Sequence, residues 1–114
     1  MATKSKTKTK TKAKAKARKV SPIPKGAHTI AAYITVKDAA KAIAFYVKAF
    51  GARELFRLVE PSGRIGHAEV RIGDSVLMIS DEYPDFGALS PVTIGGTPVK
   101  LHLYVKNVDE VFAR

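Results

Sequence analysis

Tyr33-Ile-Thr-Val-Lys-Asp-Ala-Ala-Lys-Ala-Ile-Ala-Phe45 is echoed 69 residues later by His102-Leu-Tyr-Val-Lys-Asn-Val-Asp-Glu-Val-Phe-Ala-Arg114. Val36/Val105, Lys37/Lys106 and Ala44/Ala113 are identical. Ile34/Leu103, Asp38/Asn107 and Ile43/Phe112 are near matches. Each copy alternates as a strand does, then meets an Asp or Asn suited to cap a helix. The second copy stops within its helix at Arg114. A repeated strand-helix start is the signature of a duplicated module, and the pattern predicts that the second copy is incomplete.

Working outward, Ile30, Ala32, Ile34 and Val36 fall on one face of a first strand running from about His28. Asp38 is its N-cap. Ile43, Tyr46, Val47 and Phe50 then recur at helical spacing, and Gly51 suits the position just past a helix end. The pattern predicts a helix over 39–50. Arg53 to Val59 reads as a second strand, closed by the turn Pro61-Ser62-Gly63. His67 to Ile72 is a third strand, Gly73-Asp74 a tight turn, and Val76 to Ser80 a fourth strand. Asp81 to Pro98, with three prolines and three glycines, reads as an irregular linker or lid. Val99 to Val105 reads as a fifth strand, leading into the Asn107-capped helix.

This order predicts an α+β fold. Residues 1–22 form a Lys-rich tail, 23–80 a βαβββ module, 81–98 a linker or lid, and 99–114 the start of an incomplete second module. The tail carries the charge. Residues 1–19 hold eight Lys and one Arg with no acid, whereas the other 95 residues hold 11 Lys/Arg against 10 Asp/Glu. With no large apolar residue before Val20, the tail reads as disordered. It has no apolar run that could serve as a secretory signal, and the chain has none of about 18 residues that could span a membrane. Cysteine is absent, which removes disulfides and thiolate metal sites and suits a reducing cytoplasm.

Alternation sorts the strand faces. Ile30, Ala32, Ile34, Val36, Ala68, Val70, Ile72, Leu77, Ile79, Leu101, Leu103 and Val105 should cover the helix. The opposite face collects Tyr33, Thr35, His67, Glu69, Arg71, Met78, Ser80, Lys100, His102 and Tyr104. By pattern alone such a face is either a wet outer surface or a cavity lining.

The strings Val36-Lys-Asp-Ala-Ala-Lys-Ala-Ile-Ala-Phe-Tyr46, Ala49-Phe-Gly-Ala52, His67-Ala-Glu-Val-Arg-Ile-Gly-Asp-Ser75 and Ser80-Asp-Glu-Tyr-Pro-Asp-Phe-Gly-Ala-Leu-Ser-Pro91 carry a resemblance. With Gly95-Gly-Thr-Pro98 they resemble the PhnB-like branch of the glyoxalase/bleomycin-resistance proteins, within the vicinal oxygen chelate superfamily. The resemblance covers roughly Ile23 to Arg114. It implies two βαβββ modules whose curved sheets pair into a cup, usually around a divalent metal. The polar face would then line the cup.

The resemblance places metal ligands on strand positions that here hold Ala31, Met78 and Lys100. An alanine offers no donor, a thioether is weak, and an ammonium repels a cation. The residues thus give no metal at the usual positions. His67, Glu69 and His102 are an alternative set for Zn²⁺ or Fe²⁺. The favoured function is binding of a small anionic molecule in a cup lined by Tyr33, His67, Glu69, Arg71, Met78, Ser80, Lys100, His102 and Tyr104, with the reaction unassigned. A metal-dependent lyase or dioxygenase is the alternative. A third reading is weak, nonspecific contact of the tail with nucleic acid or an anionic surface. The unfinished second module predicts a homodimer, because an unpaired strand edge recruits another chain.

Overall fold

The computed structural model describes residues 20–114. The tail at residues 1–19, and the disorder expected of it, lie outside that range. The first module runs β1 (Ala32–Val36), α1 (Ala39–Phe50), β2 (Arg53–Val59), β3 (Ile65–Ile72) and β4 (Ser75–Asp81). The four strands form one mixed sheet in the order β1-β4-β3-β2. β1 runs parallel to β4, while the β2–β3 and β3–β4 pairs are antiparallel.

α1 forms where its local signals agree. The Asp38 side chain accepts from Lys41 N, and Gly51 ends the helix at φ 67°, in the left-handed region that favours glycine. Its apolar stripe packs on the sheet. Ala39, Ile43, Ile65, Ala68, Val70 and Ile79 are fully buried together, with Ile34, Val36, Tyr46 and Ile72 against them. The face-sorting therefore holds for most of β1, β3 and β4.

Two strand expectations require correction. β1 starts at Ala32, whose ladder partner is Leu77; Ile30 is 86% exposed and joins no core. Upstream the chain turns instead, with Ala27 N donating to Pro24 O at 2.9 Å. The expected fifth strand does not form. Val99–Val105 has no ladder partner among the described residues, and Leu101, Leu103 and Val105 are exposed. Alternation prepares a face, but a strand also needs a neighbour to receive its backbone hydrogen bonds. The following helix, α3 (Val108–Ala113), does form, with the Asn107 side chain accepting from Glu110 N. The Arg114 guanidinium ties that end to Ala49 O at 3.1 Å.

The segment expected to be irregular contains a 3₁₀ turn (Pro84–Phe86) and a one-turn helix, α2 (Pro91–Ile94). Proline opens each, where its fixed φ suits a helix start. Ser90 is fully buried and caps α2 by accepting from Thr93 N. The first turn is latched to the β2–β3 hairpin. The Tyr83 hydroxyl donates to the Glu60 carboxylate (2.5 and 2.7 Å), and the Arg64 guanidinium lies 4.6 Å from the centre of the Tyr83 ring. Gly66 makes room for this latch, since a Cβ there would stand 3.0 Å from Tyr83 Oη. Among the described residues no helix is long and apolar enough to cross a membrane.

Glu82 organises the same segment. Hydrogen bonds from Ser90 and the Thr93 hydroxyl, with Lys37 nearby, hold its carboxyl at about 2. A depressed folded value means that the ionised form stabilises the fold. That contribution is complete above the ordinary carboxyl range near 4.5 and is lost as pH falls from there through about 2. Thermal melts between pH 5 and 2 should therefore show a decline that is shallower in Glu82→Gln. Parallel curves for the two proteins would refute this role.

Candidate functional site

The register builds one row across all four strands: Tyr33 pairs with Met78, Met78 with Glu69, and Glu69 with Phe56. These residues lie on the face away from α1. Tyr33 on β1 is not adjacent to β3, yet its side chain spans the intervening β4. Two strand spacings are about 10 Å, within the combined reach of a tyrosine and a histidine. The Tyr33 hydroxyl and His67 Nδ1 are 2.8 Å apart, and His67 Nε2 lies 2.8 Å from Glu69 Oε2. An ionised carboxylate only accepts, so Nε2 carries the proton that faces Glu69. In the neutral imidazole Nδ1 is then bare, and the Tyr33 phenol donates to it. Phe56 and Tyr33 flank the imidazole at ring distances of 5.6 and 5.3 Å.

A cavity of about 730 Å³ opens beside this chain of hydrogen bonds. Of the expected site residues, Glu69, Arg71, Met78, His102 and Tyr104 line it; Tyr33, His67, Ser80 and Lys100 do not. Tyr33 and His67 reach the cavity only through Glu69. Ser80 is buried, and Lys100 lies on the exposed, unpaired segment. The His102 and Tyr104 rings meet edge to face, 4.7 Å apart, on that same segment.

Arg71 is fixed from two sides. It donates to Gly26 O at 3.2 Å and to Asp74 O at 3.4 Å. Residues 24–28 thus form a cavity wall. Nothing local to Gly26 signals this, because its partner lies 45 residues away. Sequence reasoning also passed over Asp81, whose two oxygens accept from Ala39 N and Ile65 N, each at 2.7 Å.

The alternative metal set is not assembled. No three His, Cys, Asp or Glu side chains converge among the described residues. His67 and Glu69 bond to each other, while His102 sits on a segment with no ladder to hold it over them. Ala31 and Met78, two of the positions where the resemblance implied ligands, line the cavity as apolar groups. With Lys100 as the third, these donors do not fit a divalent ion.

The sequence profile of the Glyoxalase/Bleomycin resistance protein/Dioxygenase superfamily matches residues 26–114. The chain belongs to that superfamily. Its four-stranded sheet, with β1 parallel to β4, is one βαβββ module of the glyoxalase type. The superfamily member is 43% identical over 88 residues to the Mycobacterium bovis protein "Uncharacterized protein Mb0911c", covering 75% of this chain and 58% of that protein. "Uncharacterized protein Rv0887c" of Mycobacterium tuberculosis gives 43% over 88 residues, 75% and 52%. The chain spans about half the length of the curated relatives it matches. The solved structure of TioX from Micromonospora sp. ML1 is similar at 26% identity and a TM-score of 0.48, over 75% of this chain and 66% of that one.

Proposed function

We propose that this superfamily member binds a small anionic molecule against the polar face of its sheet. A second such face, from another copy or another module, would complete the cup. Arg71 carries the reading. Its guanidinium is fixed in the cavity wall by two carbonyls, pairs with no carboxylate among the described residues, and keeps three of its five N–H donors for a ligand. A preorganised guanidinium binds carboxylate or phosphate more strongly than a neutral donor would. The donor types at Ala31, Met78 and Lys100 weigh against a metal-dependent lyase or dioxygenase. The nine basic residues of 1–19 would add a weak, salt-sensitive contact with polyanions.

The test uses 3-phenylpropionate as probe, followed by amide shifts of the full chain. Arg71→Met should weaken binding at least tenfold, as expected from losing a charge-assisted contact. Equal binding by both proteins would overturn the anion reading. Light scattering on the same samples should give twice the chain mass; a monomer that still binds the probe would remove the dimer from the proposal.

A further inference from the structure

Arg71 does not stand alone in the cavity wall. Glu69 lies two residues away on the same strand and face, about 7 Å along the backbone, and lines the same cavity. Lys25 and Asp74 line it too, so its carboxylates and its Lys and Arg cations balance in sign. Glu69 is held in place from behind. Its Oε2 accepts from His67, which in turn receives the Tyr33 phenol. Its other oxygen takes no hydrogen bond among the described residues. The floor between the charges is apolar: Met78, paired in register with Glu69, and Ala31.

A purely anionic ligand on Arg71 would lie beside the like charge of Glu69. A purely cationic one on Glu69 would lie beside Arg71. A molecule bearing both charges offsets both and leaves neither side chain desolvated without a partner. We propose that the cavity takes a small dipolar molecule, an α-amino acid with an apolar side chain. Its carboxylate would sit on Arg71, its ammonium on Glu69, and its side chain on Met78 and Ala31. This rests on the anion reading above and adds the second charge. His67 and Tyr33 are positioning residues: they aim Glu69 and touch no ligand themselves.

The experiment titrates the 114-residue chain with L-phenylalanine, 3-phenylpropionate and 2-phenylethylamine at pH 7.5, read by amide chemical shifts. L-phenylalanine should bind about tenfold more tightly than either single-charge probe, the factor expected from one added charge-assisted contact. Glu69→Gln should shrink that advantage below threefold, by weakening L-phenylalanine and strengthening 3-phenylpropionate. Tyr33→Phe should weaken L-phenylalanine severalfold and shift the His67 ring ¹⁵N resonances, which a merely space-filling tyrosine would leave in place. If 3-phenylpropionate binds as tightly as L-phenylalanine, the dipolar ligand is overturned and the anion reading stands. If neither binds, both fall. Should Glu69→Gln unfold, the ranking of the three probes on the unaltered chain decides.

Discussion

Ile79→Ala should destabilise the fold by about 4 kcal/mol, the upper part of the range for emptying a fully buried aliphatic site. Ile79 is 0% exposed. Its strand is central, and its register partners are Ile34 on one side and Ala68 on the other. Both neighbouring strands hold its backbone, so the sheet cannot close in on the missing side chain. Ala68 is too small to fill the space, and the layer above is the buried Ile43 stripe of α1. Domains of this size are stable by only about 5–15 kcal/mol, so urea unfolding should show a midpoint lowered by a large fraction. Leu101→Ala is the matched control. Leu101 alternates as regularly as Ile79 but is 56% exposed on the unpaired segment, and its loss should stay within about 0.5 kcal/mol. A cost below 1 kcal/mol at Ile79, or an equal cost at Leu101, would contradict this placement of the core.

That pair of residues also marks the limit of what a sequence can convey. Residues 39–50 are legible as a helix because Asp38, the Ile43-centred stripe and Gly51 are all local signals. Ala68, Val70, Leu77 and Ile79 were legible as a core face because β3 and β4 are joined by a tight turn, so alternation and pairing come together. Val99 to Val105 alternates just as well. Its state depends on a neighbour that local pattern cannot name, and the same holds for Ile30. The short helices of the 81–98 segment are hidden in the sequence for another reason. Its proline and glycine density hid two helix starts, and Glu82, the acceptor that holds the second of them, lies eight residues before Ser90.

The site was legible to the level of a face and no further. Alternation placed Tyr33, His67 and Glu69 on one side. It could not reveal that β4 inserts between β1 and β3, or that Tyr33 reaches across it to His67. Nor could it reveal that Gly26 pins Arg71. The consequence is chemical: residues that read as a pool of polar groups separate into a buried serine, an exposed lysine, and a hydrogen-bonded chain ending at a cavity.

Asp81→Ala should cost about 3 kcal/mol, from two hydrogen bonds to a charged acceptor taken near the low end of 1.5–3 kcal/mol each because the site is only half-buried. One carboxylate oxygen takes the first N–H of α1, at Ala39; the other takes the first N–H of β3, at Ile65. Those groups lie 26 residues apart along the chain. Ala39 and Ile65 are both buried, so water cannot readily replace the lost acceptor. Asp81 also adds negative charge at the start of α1, where Asp38 already caps Lys41 N, and both complement the helix dipole. Asp81→Asn keeps one acceptor oxygen and should retain about half of that contribution. Hydrogen exchange gives the sharper readout. In Asp81→Ala the Ala39 and Ile65 amides should lose protection together, while the central β3–β4 amides fall only with global stability. Loss at one amide alone would mean that Asp81 serves one element. Joint loss would mean that a single carboxylate at the end of β4 sets where both the helix and the third strand begin.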